Sequence, residues 1–129
     1  MNELNDTLVD VKYLNIPNIC FSLTDKYDDR EVDYSKQRLL RGFDDSETWS
    51  LTDTICYFIL PRLQRFKEIN AGTPVPLTDE EWNTILDKMI VAFQLTCRDK
   101  GSRIWNDDES KQIDEGLDLF REWFMSLWW

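Results

Sequence analysis

The stretch TDEEWNTILDKMIVAF, residues 78–93, decides the fold class of this chain. Thr78 and Glu81 have the spacing of a capping box, in which each side chain bonds the other residue's backbone N–H at the start of a helix. Apolar side chains then recur every three or four residues, which is the pattern of a helix with one buried face. They are Trp82, Ile85, Leu86, Met89, Ile90 and Phe93. The stretch therefore predicts an amphipathic helix.

Two further helices are predicted, one on each side of this stretch. Upstream, Ser50 and Asp53 resemble a capping box, and the helix that follows contains Pro61, which predicts a kink. Downstream, Asn106 and Glu109 have capping-box spacing. Apolar residues follow the two caps at helical intervals: Leu51, Ile55, Phe58, Leu63 and Phe66 in the first helix, and Ile113, Leu117, Phe120, Phe124 and Leu127 in the second. Three long amphipathic helices with short connections predict a small bundle.

The N-terminal part of the chain has a different pattern. Residues 9–13 and 19–23 alternate between apolar and polar side chains, which indicates two short strands or an extended arm. Residues 34–40 are compatible with a short helix, and Gly42 is well placed to end it. The fold class is therefore predicted as mainly α, with an N-terminal extended or short β segment.

We expect one compact domain overall, since the chain has 129 residues. Residues 1–43 form the arm or hairpin with its short helix, and residues 44–129 form the bundle. The net charge of −10 repels nucleic acid, so no direct nucleic-acid binding is expected. The acidic N-terminus lacks the pattern of a signal peptide, and no apolar run is long enough to span a membrane. A soluble protein of the cytoplasm is expected.

No catalytic site is predicted. The chain has no histidine, and its three cysteines have no metal-binding spacing. Glu115 and Asp118 lie one helical turn apart, as do the magnesium-binding pairs of all-helical nucleotide pyrophosphatases, which need a second such pair on a facing helix. A solvated helix face is the preferred interpretation of these acids. We expect no enzyme, no metal and no cofactor, with magnesium-dependent pyrophosphatase activity as the remaining alternative.

Candidate ligand-binding residues lie near helix ends. Trp49 and Ser50 precede a helix whose free N–H groups can hold an anion, although ordinary capping is the preferred interpretation. Arg38, Arg62 and Arg65 belong to local basic groups that can bind phosphate, or can compensate helix dipoles. Together these five residues are the predicted ligand site.

The end of the chain has the pattern of an interface. Trp128 and Trp129 follow Phe124 at the end of the last helix, and two terminal tryptophans exceed what packing of one helix end needs. Self-association and a partner groove are both consistent with this pattern, as is helix-end packing. We expect a homo-oligomer with these three residues in its interface.

Three blocks of sequence resemble a family of small proteins encoded by tailed bacteriophages. They are DSETWSLTDTICYFILPRLQRFKE at residues 45–68, the helix at residues 82–93, and GLDLFREWFMSLW at residues 116–128. Thr52 departs from the family pattern, in which an acid follows the TWSL run directly. The resemblance implies a phage accessory protein in the cytoplasm of an infected bacterium.

Small phage proteins of this kind often counter host defence, which suggests two mechanisms. In the first, the protein is a sponge that sequesters a nucleotide immune signal without cleaving it, with Trp49 stacked on the base and the arginines on the phosphates. In the second, acids of the last helix and of residues 25–33 imitate nucleic acid and occupy the basic groove of a host defence protein, such as a CRISPR effector. The basic groups and the tryptophans favour the sponge.

Overall fold

The computed structural model describes residues 21–69, 72–98 and 103–128. This part of the chain contains four α-helices and no strand. The helices are α1 (Glu31–Arg41), α2 (Leu51–Ile69), α3 (Asp79–Thr96) and α4 (Asp107–Glu122), and two short 3-10 segments occupy Asp45–Thr48 and Phe124–Ser126. The prediction of a mainly helical chain is confirmed.

The predicted strands are not found in the described residues. The first, at residues 9–13, lies outside them. Of the second, residues 21–23 are described and have no strand structure. Their backbone instead bonds side chains: the N–H of Phe21 donates to Glu47, and the N–H of Leu23 donates to Ser46.

The chain divides into two compact units, Met1–Trp49 and Ser50–Trp129. In the first unit, α1 contains the short helix predicted over residues 34–40. Gly42 ends α1 with a φ of 88°, a left-handed conformation that costs glycine little, and its N–H bonds the carbonyl of Arg38. The predicted stop at Gly42 is therefore confirmed.

The core of the second unit is built on α3, which packs against both α2 and α4. The predicted stripe of α3 is buried, with Trp82, Leu86 and Met89 at most 1% exposed. Both downstream capping boxes are present, one from Thr78 and Glu81 and the other from Asn106 and Glu109. None of the helices within the three described stretches is long and apolar enough to cross a membrane.

Gly116 allows α4 to approach α3 closely. It is the buried residue of α4, and a Cβ at its position would overlap the Cβ of Ala92 and the carbonyl oxygen of Lys88. The absence of a side chain therefore sets the distance between the two helices at this point.

Asp53, which was predicted to be a capping residue of α2, forms an ion pair with a residue outside that helix. Its carboxylate lies 2.6 Å from the guanidinium of Arg103, and its side chain is buried. This ion pair joins α2 to the segment that precedes α4. A capping box is present in the first unit, formed by Asp44 and Glu47 at the 3-10 segment.

Candidate functional site

Arg38, predicted to bind phosphate, is held by two carboxylates of its own unit. One guanidinium nitrogen lies 2.5 Å from Glu31 Oε2, and the other lies 2.5 Å from Asp44 Oδ2. The Asp44 side chain is fully buried, so its charge needs this partner. A phosphate could reach Arg38 only in competition with these carboxylates.

Asp44 is the centre of a buried polar cluster. Its carboxylate accepts hydrogen bonds from the backbone N–H and the hydroxyl of Ser46. Burial acts to raise the pKa of Asp44, but hydrogen bonds from Ser46, Ser22 and Arg38 outweigh it and hold the pKa below its ordinary value. The cluster ties residues 21–24 to the 3-10 segment, so its role is structural.

Trp49 lies at the end of this 3-10 segment and is 51% exposed. Its ring meets the ring of Tyr34 edge-on, with centroids 6.1 Å apart. The guanidinium of Arg30 lies 4.7 Å from the Trp49 ring centroid and also pairs with both carboxylate oxygens of Asp28. Sequence reasoning missed Arg30, because only the fold brings it over Trp49.

The remaining predicted ligand residues lie in the second unit. The carbonyl of Ser50 accepts the N–H groups of Asp53 and Thr54 at the start of α2. Arg62 stacks 4.0 Å from the ring centroid of Phe58 and donates to the Phe58 carbonyl. Arg65 forms an exposed ion pair with Glu68 at 3.2 Å. The five predicted residues are thus divided between two units, with Arg38 and Trp49 in the first.

Most of the arginines are already paired with carboxylates of the protein. Six of the eight in the sequence lie in ion pairs within the described residues: Arg30, Arg38, Arg41, Arg65, Arg98 and Arg103. The other two, Arg62 and Arg121, have no ion pair there. The positive charge that the sequence assigns to a phosphate site is therefore largely neutralised.

The outward face of α4, in contrast, carries acidic side chains that form no ion pair within the described residues. Asp114, Asp118 and Glu122 follow one another at intervals of four residues, are exposed, and have no ion pair in the described part of the chain. We call these three residues the acidic ridge. Lys111 and Arg121 lie on the same helix, but neither comes within ion-pair distance of the ridge. The ridge is thus a row of exposed carboxylates for which the described residues provide no ion pair.

The end of the chain exposes large apolar side chains. Phe124 is 56% exposed, Met125 83% and Trp128 75%. Trp123 and Leu127 pack against the core instead, and the Trp123 ring lies 5.9 Å from that of Trp82. Of the predicted interface residues, Phe124 and Trp128 are exposed, and Trp129 lies outside the described residues. Met125 was not predicted, although it lies between them in sequence.

Of the acid pair Glu115 and Asp118, for which magnesium binding was only the alternative interpretation, one member has an internal partner. The carboxylate of Glu115 lies 2.8 Å from the ammonium group of Lys88 on α3. Within residues 21–69, 72–98 and 103–128, no three histidine, cysteine or acidic side chains are grouped to hold a metal ion.

Burial raises the pKa of the Cys56 thiol to about 12, which makes it a poor nucleophile.

Comparison with known proteins adds no assignment: no family model matches the chain, and neither a curated protein nor a solved structure is similar to it. The resemblance to tailed-phage proteins therefore stays a prediction.

Proposed function

We propose that this protein is an acidic inhibitor that binds the basic, nucleic-acid-binding groove of a partner protein through the outward face of α4. The resemblance to phage accessory proteins makes a host defence protein, such as a CRISPR effector, the expected owner of that groove. The observation that carries the proposal is the distribution of ion pairs: six arginines are bound internally, while the acidic ridge is not.

The geometry of α4 suits such a partner. The helix has seven acids and two bases between Asp107 and Glu122. Two of the acids, Glu109 and Glu115, are neutralised by Arg98 and Lys88. The unpaired acids of α4 therefore outnumber its bases. Asp114 and Glu122 are eight residues apart, so the ridge extends about 12 Å along the helix axis. A row of carboxylates of this length matches a groove lined with lysine and arginine.

The acids at residues 25–33, also considered from the sequence, are less suited to this role. Asp28 pairs with Arg30, and Asp25 accepts the N–H of Tyr27. Glu31 pairs with Arg38. Only Asp29 and Asp33 have neither an ion pair nor a side-chain hydrogen bond among the described residues, so this segment offers fewer unpaired carboxylates than α4.

A displacement experiment tests the proposal. Purified nucleic-acid-binding defence proteins, CRISPR effectors included, are each loaded with fluorescein-labelled duplex DNA, and the acidic protein is added. We expect the DNA anisotropy of at least one complex to fall to the value of free DNA, and the effect to weaken as salt rises. If no complex in the panel releases DNA at low salt, the proposal is wrong.

A second function, the nucleotide sponge, is favoured by one observation. Trp49 is half exposed beside the guanidinium of Arg30, and this group can stack on a base and contact its phosphate. Arg30 would contact the phosphate, a role that the sequence suggested for Arg38. The sponge would act as a homo-oligomer and would release its ligand unchanged.

Equilibrium dialysis tests the sponge separately. The protein is dialysed against a panel of cyclic nucleotides, and any bound nucleotide is released by heat and identified. Trp49→Ala should abolish retention if Trp49 stacks on the base, and Trp105→Ala is the matched control for loss of a tryptophan. Retention of no nucleotide, or equal retention by both variants, would contradict the sponge.

A further inference from the structure

We infer that the exposed apolar residues at the end of the chain bind an apolar pocket at the edge of a partner's basic groove, so that the partner presents a basic amphipathic surface. The apolar face is defined as Phe124, Met125 and Trp128. This inference rests on the proposed function, since it describes the same partner in more detail.

The apolar face is fixed in place by its neighbours. Trp123 and Leu127 are anchored in the core, and the N–H of Leu127 donates to the carbonyl of Phe124. The Phe124 ring also lies edge-on to that of Phe120, with centroids 5.6 Å apart. The backbone of this segment is therefore held in place, so a partner that covers the outward side chains need not order it, which favours binding. Exposed aromatic and methionine side chains in one patch are typical of interaction sites.

The charges near the apolar face indicate which kind of partner binds it. Glu122, the last residue of the acidic ridge, lies two residues before Phe124, and the partly exposed Leu117 lies directly before Asp118. A symmetric dimer through this face would bring two acidic ridges together, because both copies use the same surface. Like charges placed opposite each other oppose such an association. A basic partner gains from both the carboxylates and the apolar side chains.

An anionic membrane is disfavoured for the same reason. The negative potential of such a surface attracts basic segments and repels acidic ones. Glu122, two residues before Phe124, and the rest of the acidic ridge on the same helix have no ion pair in the described chain, so approach of this end of α4 to anionic lipid is opposed.

Two synthetic peptides serve as probes of the full-length protein. One is a fluorescein-labelled helix of leucine and arginine with a single apolar stripe, and the other has the same composition in a permuted order without a stripe. We expect Met125→Ser with Trp128→Ser to weaken binding of the striped peptide about tenfold or more, and to leave binding of the permuted peptide within about twofold.

Leu39→Ser with Leu40→Ser is the matched control, because these α1 side chains are 85% and 83% exposed. The control should change neither affinity. Equal weakening by the two double variants, or no weakening by either, overturns the inference. Thermal unfolding followed by circular dichroism verifies that each variant is folded.

The acidic ridge is tested with the same peptides, which separates the two proposals. The triple variant with Asp114→Asn, Asp118→Asn and Glu122→Gln should bind both peptides more weakly than the original protein does. If this triple variant binds both peptides like the original protein, the proposed function fails. If it weakens both while the Met125 and Trp128 variant weakens neither, only the inference about the apolar face fails.

Two further results would overturn the inference in favour of another occupant. One is a dimer, measured by light scattering after size exclusion, that Met125→Ser with Trp128→Ser dissociates. The other is cosedimentation with vesicles of phosphatidylcholine and phosphatidylglycerol that the same variant abolishes. In contrast to the homo-oligomer expected from the sequence, this inference predicts a monomer that does not sediment with vesicles.

Discussion

Arg38 donates to the buried carboxylate of Asp44 across 2.5 Å, and this contact changes the interpretation of the basic residues. An arginine that bonds a desolvated acid stabilises the fold, and removal of either partner leaves the other without compensation. The same applies to Arg103 and the buried Asp53. The arginines that the sequence suggests for ligand binding are mostly internal partners.

Asp44→Asn should lower the free energy of unfolding by about 2–3 kcal/mol, because Arg38 loses its charged partner and the hydrogen bonds of Ser46 weaken. Urea unfolding measures the change. Asp45→Asn is the control, since Asp45 is exposed and an exposed ion pair such as that with Arg41 adds little to stability. Equal effects of the two substitutions would contradict the role of the buried pair.

The stabilisation by Asp44 should depend on pH. Its pKa is lower in the folded chain than its ordinary value of 3.8. The ionised carboxylate therefore stabilises the fold above pH 3.8, and this contribution is lost as the pH falls through the lowered pKa. The difference in melting temperature between the original protein and Asp44→Asn should thus be constant near neutral pH and shrink in strong acid. A difference that grows as the pH falls would contradict the assigned shift.

Gly116→Ala should destabilise the second unit by about 2 kcal/mol, since the new methyl group would overlap Ala92 and the backbone of Lys88, and α4 would have to move away from α3. Gly72→Ala is the control, because a Cβ there would meet nothing within 4 Å. Thermal melts of both variants measure the effect. A neutral Gly116→Ala would show that the two helices are not in close contact.

Cys56 should react with thiol reagents only after unfolding. It is 3% exposed, and burial raises its pKa to about 12, so the folded protein contains almost no thiolate at this position. The measurement is the labelling rate by a disulfide reagent at pH 8, in a chain with Cys20→Ser and Cys97→Ser. Labelling as fast as that of the urea-unfolded chain would contradict the burial of this thiol.

The helices could be predicted because their signals are local. The capping pairs Thr78 with Glu81 and Asn106 with Glu109 are three residues apart, and apolar stripes repeat with the period of the helix. The alternation around Phe21 and Leu23 was misleading because their backbone N–H groups bond Glu47 and Ser46 rather than a neighbouring strand. No local pattern indicates such a partner.

The candidate site was less predictable because it depends on which acidic and basic side chains form ion pairs in the folded chain. Asp53 and Arg103 form an ion pair although they are far apart in sequence, so no local spacing of residues predicts it. The buried Asp44 had a visible signal, since Asp44 and Glu47 have the spacing of a capping box, with Asp in place of Ser or Thr. The four-residue interval of Asp114, Asp118 and Glu122 was also visible. That neither Lys111 nor Arg121 forms an ion pair with them in the described residues could be learned only from the fold.

The central claim is that the acidic ridge binds a basic groove, and the most direct test compares two triple variants with equal charge. Asp114→Asn, Asp118→Asn and Glu122→Gln neutralise the ridge, and a control triple variant neutralises three exposed acids elsewhere: Asp29→Asn, Asp33→Asn and Glu80→Gln. The measurement is the concentration of protein that displaces half of the labelled DNA from a responsive defence protein. We predict that the ridge variant needs at least about tenfold more protein, while the control stays within about twofold of the original. Equal losses in the two variants would show that only net charge matters and would contradict the claim.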